Sequence, residues 1–161
     1  MATLTIGIAE QAVSRAPDRL VTLGLGSCVG LVLFDPVTKI GGMVHIMLPR
    51  APQDMAGGNK FKFADTAVPE LIRLVTRAGA SRYTLQAKLA GGAHMFNNSY
   101  LTDVISIGKR NVDICLEQLQ AHRIPVAAQD TGGTSGRSIE FNCEDGMLQV
   151  RTVVPKSLRL I

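Results

Sequence analysis

The sequence has no tryptophan, and only 4% of its 161 residues are aromatic. Proteins that bind single-stranded nucleic acid stack bases on aromatic side chains interleaved with basic ones, so this composition argues against a nucleic-acid partner. The formal net charge of +4 favours encounter with an acidic partner. The lysines and arginines are nevertheless scattered singly and form no basic block, which is typical of an ordinary solvated surface.

The chain also lacks a long apolar run and a secretory signal. No segment approaches the roughly 18 apolar residues that a membrane-spanning helix needs. Residues 1–10 have neither the basic start nor the apolar core of a signal peptide. We therefore expect a cytoplasmic protein that does not insert into a membrane.

The cysteines are few and widely separated. Cys28, Cys115 and Cys143 offer neither a disulfide framework nor the paired spacing of metal ligands, and the three histidines add no zinc-like spacing. The Gly24-x-Gly26 pair resembles the start of a dinucleotide loop, but a predicted strand follows it instead of a helix. We expect neither a cofactor nor a metal.

The apolar pattern predicts an α+β fold in a single domain spanning residues 1–161. Strands outnumber helices and short turns join most of them, so we expect two helices packed against a mixed, mainly antiparallel sheet or sandwich. Asp65 is the expected N-cap of the first helix. The predicted strands cover residues 4–10, 20–24, 28–34, 40–48, 83–89, 124–128, 138–142 and 147–153, and the predicted helices cover residues 64–78 and 107–122.

Two of these strands predict a hairpin that carries a cysteine and a histidine. The segment Asp35–Thr38 between them fits a type I turn. If those residues form the loop, Cys28 lies directly opposite His45, and the two side chains share a face. A register shift of two residues would keep them on that face, whereas a shift of one would separate them.

Each of these two residues has a simple structural interpretation when taken alone. A cysteine in a strand is usually a small hydrophobic residue, and a histidine among aliphatic residues is usually a satisfied core residue. Together, Cys28 and His45 suggest a nucleophile and its base. A neighbouring imidazolium would lower the pKa of the thiol and stabilise the thiolate.

Two further parts of a catalytic site follow from the same hypothesis. The glycine-containing bend before the cysteine could aim the backbone N–H groups of Ser27 and Cys28 at a tetrahedral oxyanion. Thr22, on the preceding strand, could orient His45, although threonine is also a common strand residue. Cys115 and Cys143 fall on apolar stripes and are expected in the core.

Seven segments of the sequence resemble the CheD family of chemoreceptor glutamine deamidases. They occur in the family's order and cover nearly the whole chain, which makes the resemblance more specific than any single motif. The segments are Thr22–Leu31, Gly41–Pro49, Lys62–Val68, Ala90–Phe96, Ile107–Val112, Asp130–Gly133 and Gly136–Phe141.

The resemblance implies hydrolysis of glutamine side-chain amides on the cytoplasmic region of methyl-accepting chemotaxis receptors, through a cysteine thioester. Hydrolysis of glutamate methyl esters would be a further capacity. It implies a triad of Cys28, His45 and Thr22, and a fold like the catalytic domain of cytotoxic necrotizing factor toxins. It also implies a CheC-type phosphatase as a partner at the same site.

Departures from the family pattern do not touch this triad. They are Gly30, His94 and Gln129. One alternative is a non-enzymatic chemotaxis adaptor that binds the CheC phosphatase and receptors. Another is a cysteine peptidase, for which nothing beyond the cysteine and the histidine argues.

Overall fold

The computed structural model describes residues 1–55, 57–95 and 106–161. Within these ranges the chain forms ten strands and two helices, and neither helix is long and apolar enough to cross a membrane. The helices are α1 Ala64–Arg77 and α2 Ile107–Ala121. The strands are β1 Thr3–Ile6, β2 Gln11–Arg15, β3 Arg19–Leu25, β4 Val29–Asp35, β5 Ile40–Ile46, β6 Gln86–Gly91, β7 Val126–Thr131, β8 Arg137–Asn142, β9 Leu148–Val153 and β10 Lys156–Leu160.

The strands of this described part form two five-stranded sheets. The outer sheet has the order β1-β3-β8-β9-β10, and the central sheet has the order β2-β5-β4-β6-β7. β1 pairs with β3 in parallel, as does β6 with β7. The remaining paired strands are antiparallel. The predicted α+β fold with mixed, mainly antiparallel sheets is confirmed.

The central sheet is covered on both of its faces. In β4, Leu31 and Leu33 pack into the core shared with the two helices, whereas Val32 and Phe34 pack into the core between the sheets. Every residue of β4 and β5 is buried. Strands buried on both faces have nearly continuous apolar sequences, which explains why these two runs show little polar alternation.

Several predicted strand boundaries are wrong. The segment predicted as one strand at residues 4–10 is only β1, and the unpredicted strand β2 follows it at an edge of the central sheet. β10, at an edge of the outer sheet, is also absent from the prediction, and its residues are exposed. Tyr83 lies in a turn and is 93% exposed, so β6 begins only at Gln86. Edge strands with mixed exposure have a weak sequence pattern.

The start of α1 also differs from the prediction. Phe63 is the N-cap residue and makes no side-chain capping bond. Asp65 instead accepts a hydrogen bond of 2.9 Å from the backbone N–H of Ala51. Asp65 therefore fastens the segment that follows β5 to the first turn of the helix, rather than capping that helix.

Candidate active site

The register of the β4–β5 hairpin determines which residues lie beside His45. Asp35 still belongs to the ladder and pairs with Ile40. The loop ends with Lys39 at a φ of 60°, in the left-handed region. Gly30, not Cys28, therefore pairs with His45. The predicted direct pairing of Cys28 with His45 is wrong, and the ladder is shifted by two residues.

A shift of two residues leaves the cysteine and the histidine on the same side of the central sheet. The side chain of Cys28 packs against the core between the two sheets. His45 points into the same space, where it meets Thr22 of the outer sheet. The alternation of β4 thus gives the shared face that the sequence predicts, without the direct pairing.

Thr22 and His45 form a buried pair that joins the two sheets. Both residues have no exposed surface. Thr22 Oγ1 lies 2.7 Å from His45 Nδ1, and it donates a hydrogen bond of 2.9 Å to the carbonyl of Ile6. A carbonyl can only accept, so the single hydroxyl proton is directed to Ile6. His45 Nδ1 is then the donor to Thr22, which leaves the lone pair of the neutral ring on Nε2.

That lone pair is buried without a partner. His45 Nε2 makes no hydrogen bond to any residue that the structure describes, so none links it to the sulfur of Cys28. Unpartnered buried polar atoms are uncommon in native proteins. His94 Nε2 is another in the described part of the chain, but His45 Nε2 is distinguished by lying on the side of the sheet that also holds the thiol. Burial lowers the pKa of His45, so the ring is a neutral acceptor at neutral pH.

Cys28 is a free, partly buried thiol at the end of a bend. The pairing of β3 with β8 loses register between Thr22 and Leu25, and Gly24 has a φ of 70°. The bend expected just before the cysteine is thus present. Burial raises the pKa of the Cys28 thiol, with a smaller opposing effect from its own backbone N–H. This direction is opposite to the expected lowering, because no imidazolium lies against the sulfur.

Three donors hold the carbonyl groups of this bend. The N–H of Ala93 bonds to Gly26 O at 2.9 Å, and the N–H of Gly92 bonds to Cys28 O at 2.8 Å. The side-chain amide of Asn111 bonds to Ser27 O at 2.9 Å. The backbone that carries the thiol is therefore fixed from the end of β6 and from α2.

The close approach of β6 to this bend requires a glycine. Gly91 has a φ of 108°, and a Cβ at this position would lie 2.3 Å from Cys28 O. Arg137 of β8 supports the same place, since it donates to Gly91 O at 2.8 Å and to Gly132 O at 2.6 Å. Asp130 lies 3.1 Å from Arg137 Nε and completes a partly buried ion pair.

Asn111, Arg137 and Gly91 did not emerge from the sequence as site residues. The available signals were a polar residue, Asn111, on the apolar stripe of α2 and the consecutive glycines at the end of a predicted strand. Both lie inside segments that carry the family resemblance. The contacts themselves join residues far apart in the chain, which local patterns do not encode.

Of the remaining candidates, two cysteines lie in the core, one histidine lies at the end of α2, and His94 directly follows Ala93, which bonds to the bend. Cys115 and Cys143 are buried, as predicted. His122 caps the end of α2 and contacts Gln118 O through Nδ1 at 2.9 Å. The backbone N–H of His94 bonds to Gly133 O. Most of the predicted loop at residues 94–103 lies outside the described residues.

Together, the fold and the site define a two-sheet α+β protein whose partly exposed thiol shares one side of a sheet with a buried threonine–histidine pair. A family model described as CheD chemotactic sensory transduction matches residues 47–152. The chain belongs to the CheD family.

Curated relatives extend this likeness to nearly the whole chain. A protein of Bacillus velezensis named "Chemoreceptor glutamine deamidase CheD" is 48% identical over 153 residues, covering 94% of this chain and 92% of its own. A Bacillus subtilis protein of the same name is 46% identical over 151 residues, covering 93% and 91%. A Caldanaerobacter subterraneus protein named "Probable chemoreceptor glutamine deamidase CheD" is 48% identical, covering 93% of each chain. These alignments include the segment from Thr22 to His45, because they leave under a tenth of this chain outside.

Among solved structures, the Bacillus licheniformis hypothetical protein YfiH matches with a TM-score of 0.44 and 15% identity, covering 76% of this chain and 50% of its own. At this level the likeness carries no inference about function. The implied likeness to cytotoxic necrotizing factor toxins stays a prediction.

Proposed function

We propose that this protein deamidates glutamine side chains on the cytoplasmic region of chemotaxis receptors, with Cys28 as the nucleophile and His45 as the base. The observation that carries the proposal is the buried Thr22–His45 pair, which leaves an unpartnered ring nitrogen on the side of the sheet that also holds the thiol. Membership of the CheD family supports the substrate class, because relatives of this chain are named chemoreceptor glutamine deamidases.

The first half of the reaction forms a thioester. The sulfur of Cys28 attacks the amide carbon while His45 Nε2 takes the thiol proton. The amide oxygen becomes an oxyanion, and the backbone N–H groups of Ser27 and Cys28 are the proposed donors to it. His45 then gives its proton to the departing nitrogen. Ammonia leaves, and the acyl group remains on the sulfur.

The second half restores the enzyme. His45 takes a proton from water as that water attacks the thioester carbon, and the proton passes to the sulfur as the acyl group leaves. The products are a glutamate side chain and the free thiol of Cys28. A glutamate methyl ester would form the same thioester with methanol as the leaving group, so we expect this ester to be a second substrate.

The directions of the two pKa shifts are consistent with this order of events. Burial raises the pKa of the Cys28 thiol and lowers the pKa of His45. The resting state therefore has a neutral thiol and a neutral imidazole. Proton transfer then accompanies attack on a bound substrate, and the sulfur–nitrogen hydrogen bond forms at that stage.

The surface beside the bend suits a receptor helix. A Cβ at Gly26 would lie 3.2 Å from Met95 Cγ, so the methionine covers this bend. Met95 is nevertheless 46% exposed and presents apolar surface. The net charge of +4 would attract a glutamate-rich helix over long range. We include a CheC-type phosphatase as a proposed partner of the same surface.

The test is to incubate the protein with a receptor cytoplasmic fragment and to measure the mass of that fragment. Each deamidated glutamine should add about 1 Da, because an amide NH₂ becomes OH through the thiol chemistry described above. The variant Cys28→Ala should give no gain, and Cys143→Ala, which removes a core thiol, should behave like the wild type. Equal gains with the wild type and Cys28→Ala would exclude the proposed chemistry.

The raised pKa of the Cys28 thiol is the observation that favours a second candidate function. This candidate is a non-enzymatic adaptor that holds receptors or a CheC-type phosphatase at this site. In that case Cys28→Ala would support normal chemotaxis in cells. The deamidase instead requires that this variant lose adaptation while it keeps its fold.

A further inference from the structure

Asn111 is a buried polar residue on the otherwise apolar face of α2. Its side chain has no exposed surface, and its neighbours on the same face include Val112 and Cys115. Burying an amide in such surroundings is unfavourable unless its hydrogen bonds are made. The oxygen Oδ1 has no hydrogen-bond partner among the described residues, so any role of this buried amide comes from the contacts of its nitrogen.

Both contacts of the Asn111 amide nitrogen are backbone carbonyl groups. Nδ2 lies 2.9 Å from Ser27 O and 3.1 Å from Met47 O. Carbonyl oxygens only accept, so the NH₂ end of the amide faces them and each of its protons has a partner. Asn111 thereby joins the bend that carries Cys28 to the residue that follows β5, the strand of His45.

The bond to Ser27 O controls the direction of a neighbouring N–H group. In a trans peptide, the C=O of one residue and the N–H of the next point in opposite directions. Because Asn111 holds Ser27 O towards α2, the N–H of Cys28 points away from that helix. The N–H of Cys28 contacts its own sulfur, and neither this group nor the N–H of Ser27 bonds to another of the described residues.

We infer that Asn111 is a positioning residue, which aims the N–H of Cys28 at the oxyanion by fixing the peptide between Ser27 and Cys28. The inference rests on the deamidation proposed above. Without this amide the peptide is free to rotate, while the bond from Gly92 N–H to Cys28 O still holds the cysteine backbone. We expect the oxyanion to be stabilised less well and the reactivity of the thiol to stay unchanged.

The test compares two reactions of the same sulfur. Deamidation passes through an oxyanion, whereas alkylation by iodoacetamide forms an S–C bond, breaks the C–I bond and releases iodide without one. In Asn111→Leu we expect kcat for deamidation to fall about 10- to 100-fold, less than the loss of a whole oxyanion donor. KM for the receptor fragment and the rate of Cys28 alkylation, read from the mass of the peptide that contains it, should each change less than about twofold.

Two further variants separate positioning from folding. Asn111→Asp is nearly the same size but offers at most one proton to the two carbonyl groups, because a carboxyl is either charged or singly protonated, and it should repeat the split between kcat and alkylation. Leu119→Ala, a buried change further along α2, should lower the melting temperature and leave kcat unchanged at a temperature where the variant is folded.

An unchanged kcat in both Asn111 variants would overturn the inference, and so would alkylation that falls as far as kcat. If the wild type does not deamidate receptor fragments, or if Cys28→Ala does so equally, the proposed function fails first and this inference fails with it.

Discussion

Buried polar groups at the two ends of the β4–β5 hairpin differ in their hydrogen bonding. At the turn end, the carboxylate of Asp35 is buried and accepts hydrogen bonds from Val37 N–H, Thr38 Oγ1, Ser81 N–H and Thr84 Oγ1, at 2.8–3.0 Å. At the open end, His45 Nε2 is buried and has no partner among the described residues. A filled set of hydrogen bonds stabilises the fold, whereas an unfilled one leaves a group available for reaction.

The pKa values of Asp35 and His45 show the same difference between the two ends. Burial alone would raise the pKa of Asp35, but the hydrogen bonds from Ser81, Thr84, Val37 and Thr38 outweigh it and lower the pKa to about 2. For His45, burial is the cause of the lowered pKa, and no ionic partner opposes it. The charged form is favoured at the turn end, and the neutral form is favoured at the open end.

The largest effect should come from the open end, on activity. His45→Gln keeps a polar side chain of similar size but removes the proposed base, and general bases contribute about 10²- to 10⁴-fold to rate. We expect kcat to fall about 1,000-fold, measured as ammonia release from receptor fragments. The free energy of unfolding in urea should fall by only about 1 to 2 kcal/mol, because the bond from Nδ1 to Thr22 is lost but Nε2 had no partner. A loss of stability without a loss of kcat would contradict the division between the two ends.

The next largest effect should come from the turn end, on stability. Asp35→Ala leaves four buried or partly buried donors without their acceptor, and we expect the free energy of unfolding to fall by about 3 kcal/mol. Val37→Ala is the matched control, since Val37 lies in the same turn and is 74% exposed. The kcat of folded Asp35→Ala should stay within about twofold of the wild type. A parallel loss of kcat would mean that the turn end controls the site.

This contrast also shows what could be predicted from the sequence. The apolar runs that became β4 and β5 and the apolar stripe of α2 were predicted because local periodicity encodes them. The register was wrong by two residues because Lys39 adopts a left-handed φ of 60°, a conformation that its residue type does not indicate.

The candidate site was predictable only in part, for a related reason. Cys28 and His45 lie in one hairpin, and Thr22 lies on the strand before it, so short-range reasoning proposes all three as site residues. Asn111 contacts Ser27 across 84 positions of the chain, and Asp35 contacts Ser81 across 46. Such contacts depend on the packing of helices and loops against the sheet, which the local pattern does not specify.

Acid titration should also distinguish the two ends of the hairpin, by a smaller effect on the stability of the fold. The pKa of Asp35 is lowered from 3.8 to about 2, so the unfolded chain binds this proton first as the pH falls. The contribution, about 2 kcal/mol, is complete above pH 3.8 and is lost as the pH falls through about 2. Urea unfolding between pH 5 and 2 should therefore show a shallower decline for Asp35→Asn than for the wild type.

Protonation of His45 should also lower the stability of the fold, but in a different pH range. Its pKa is lowered from 6.5, so its contribution is complete above pH 6.5 and declines below that value. His45→Gln should flatten the stability curve just below pH 6.5 and leave the steeper acid limb of Asp35 unchanged. A single change that flattens both limbs would show that the two ends titrate as one unit.

The smallest expected effect concerns the orientation of the histidine. Thr22→Val keeps the shape of the side chain but removes the hydroxyl that holds His45 Nδ1 at 2.7 Å, so the ring is free to adopt the other tautomer. We expect kcat to fall about tenfold, equivalent to about 1.4 kcal/mol, with KM unchanged.

Thr22→Ser is the control for this prediction, because it restores the hydroxyl without the methyl group. Its kcat should return to within about twofold of the wild type even if its melting temperature is lower, since the tautomer depends on the oxygen and stability depends on packing. If Thr22→Ser is as slow as Thr22→Val, the methyl group sets the position of the ring and the tautomer argument is wrong. If both variants keep full activity, His45 does not need the hydrogen bond at Nδ1. Packing alone then orients its unpartnered nitrogen.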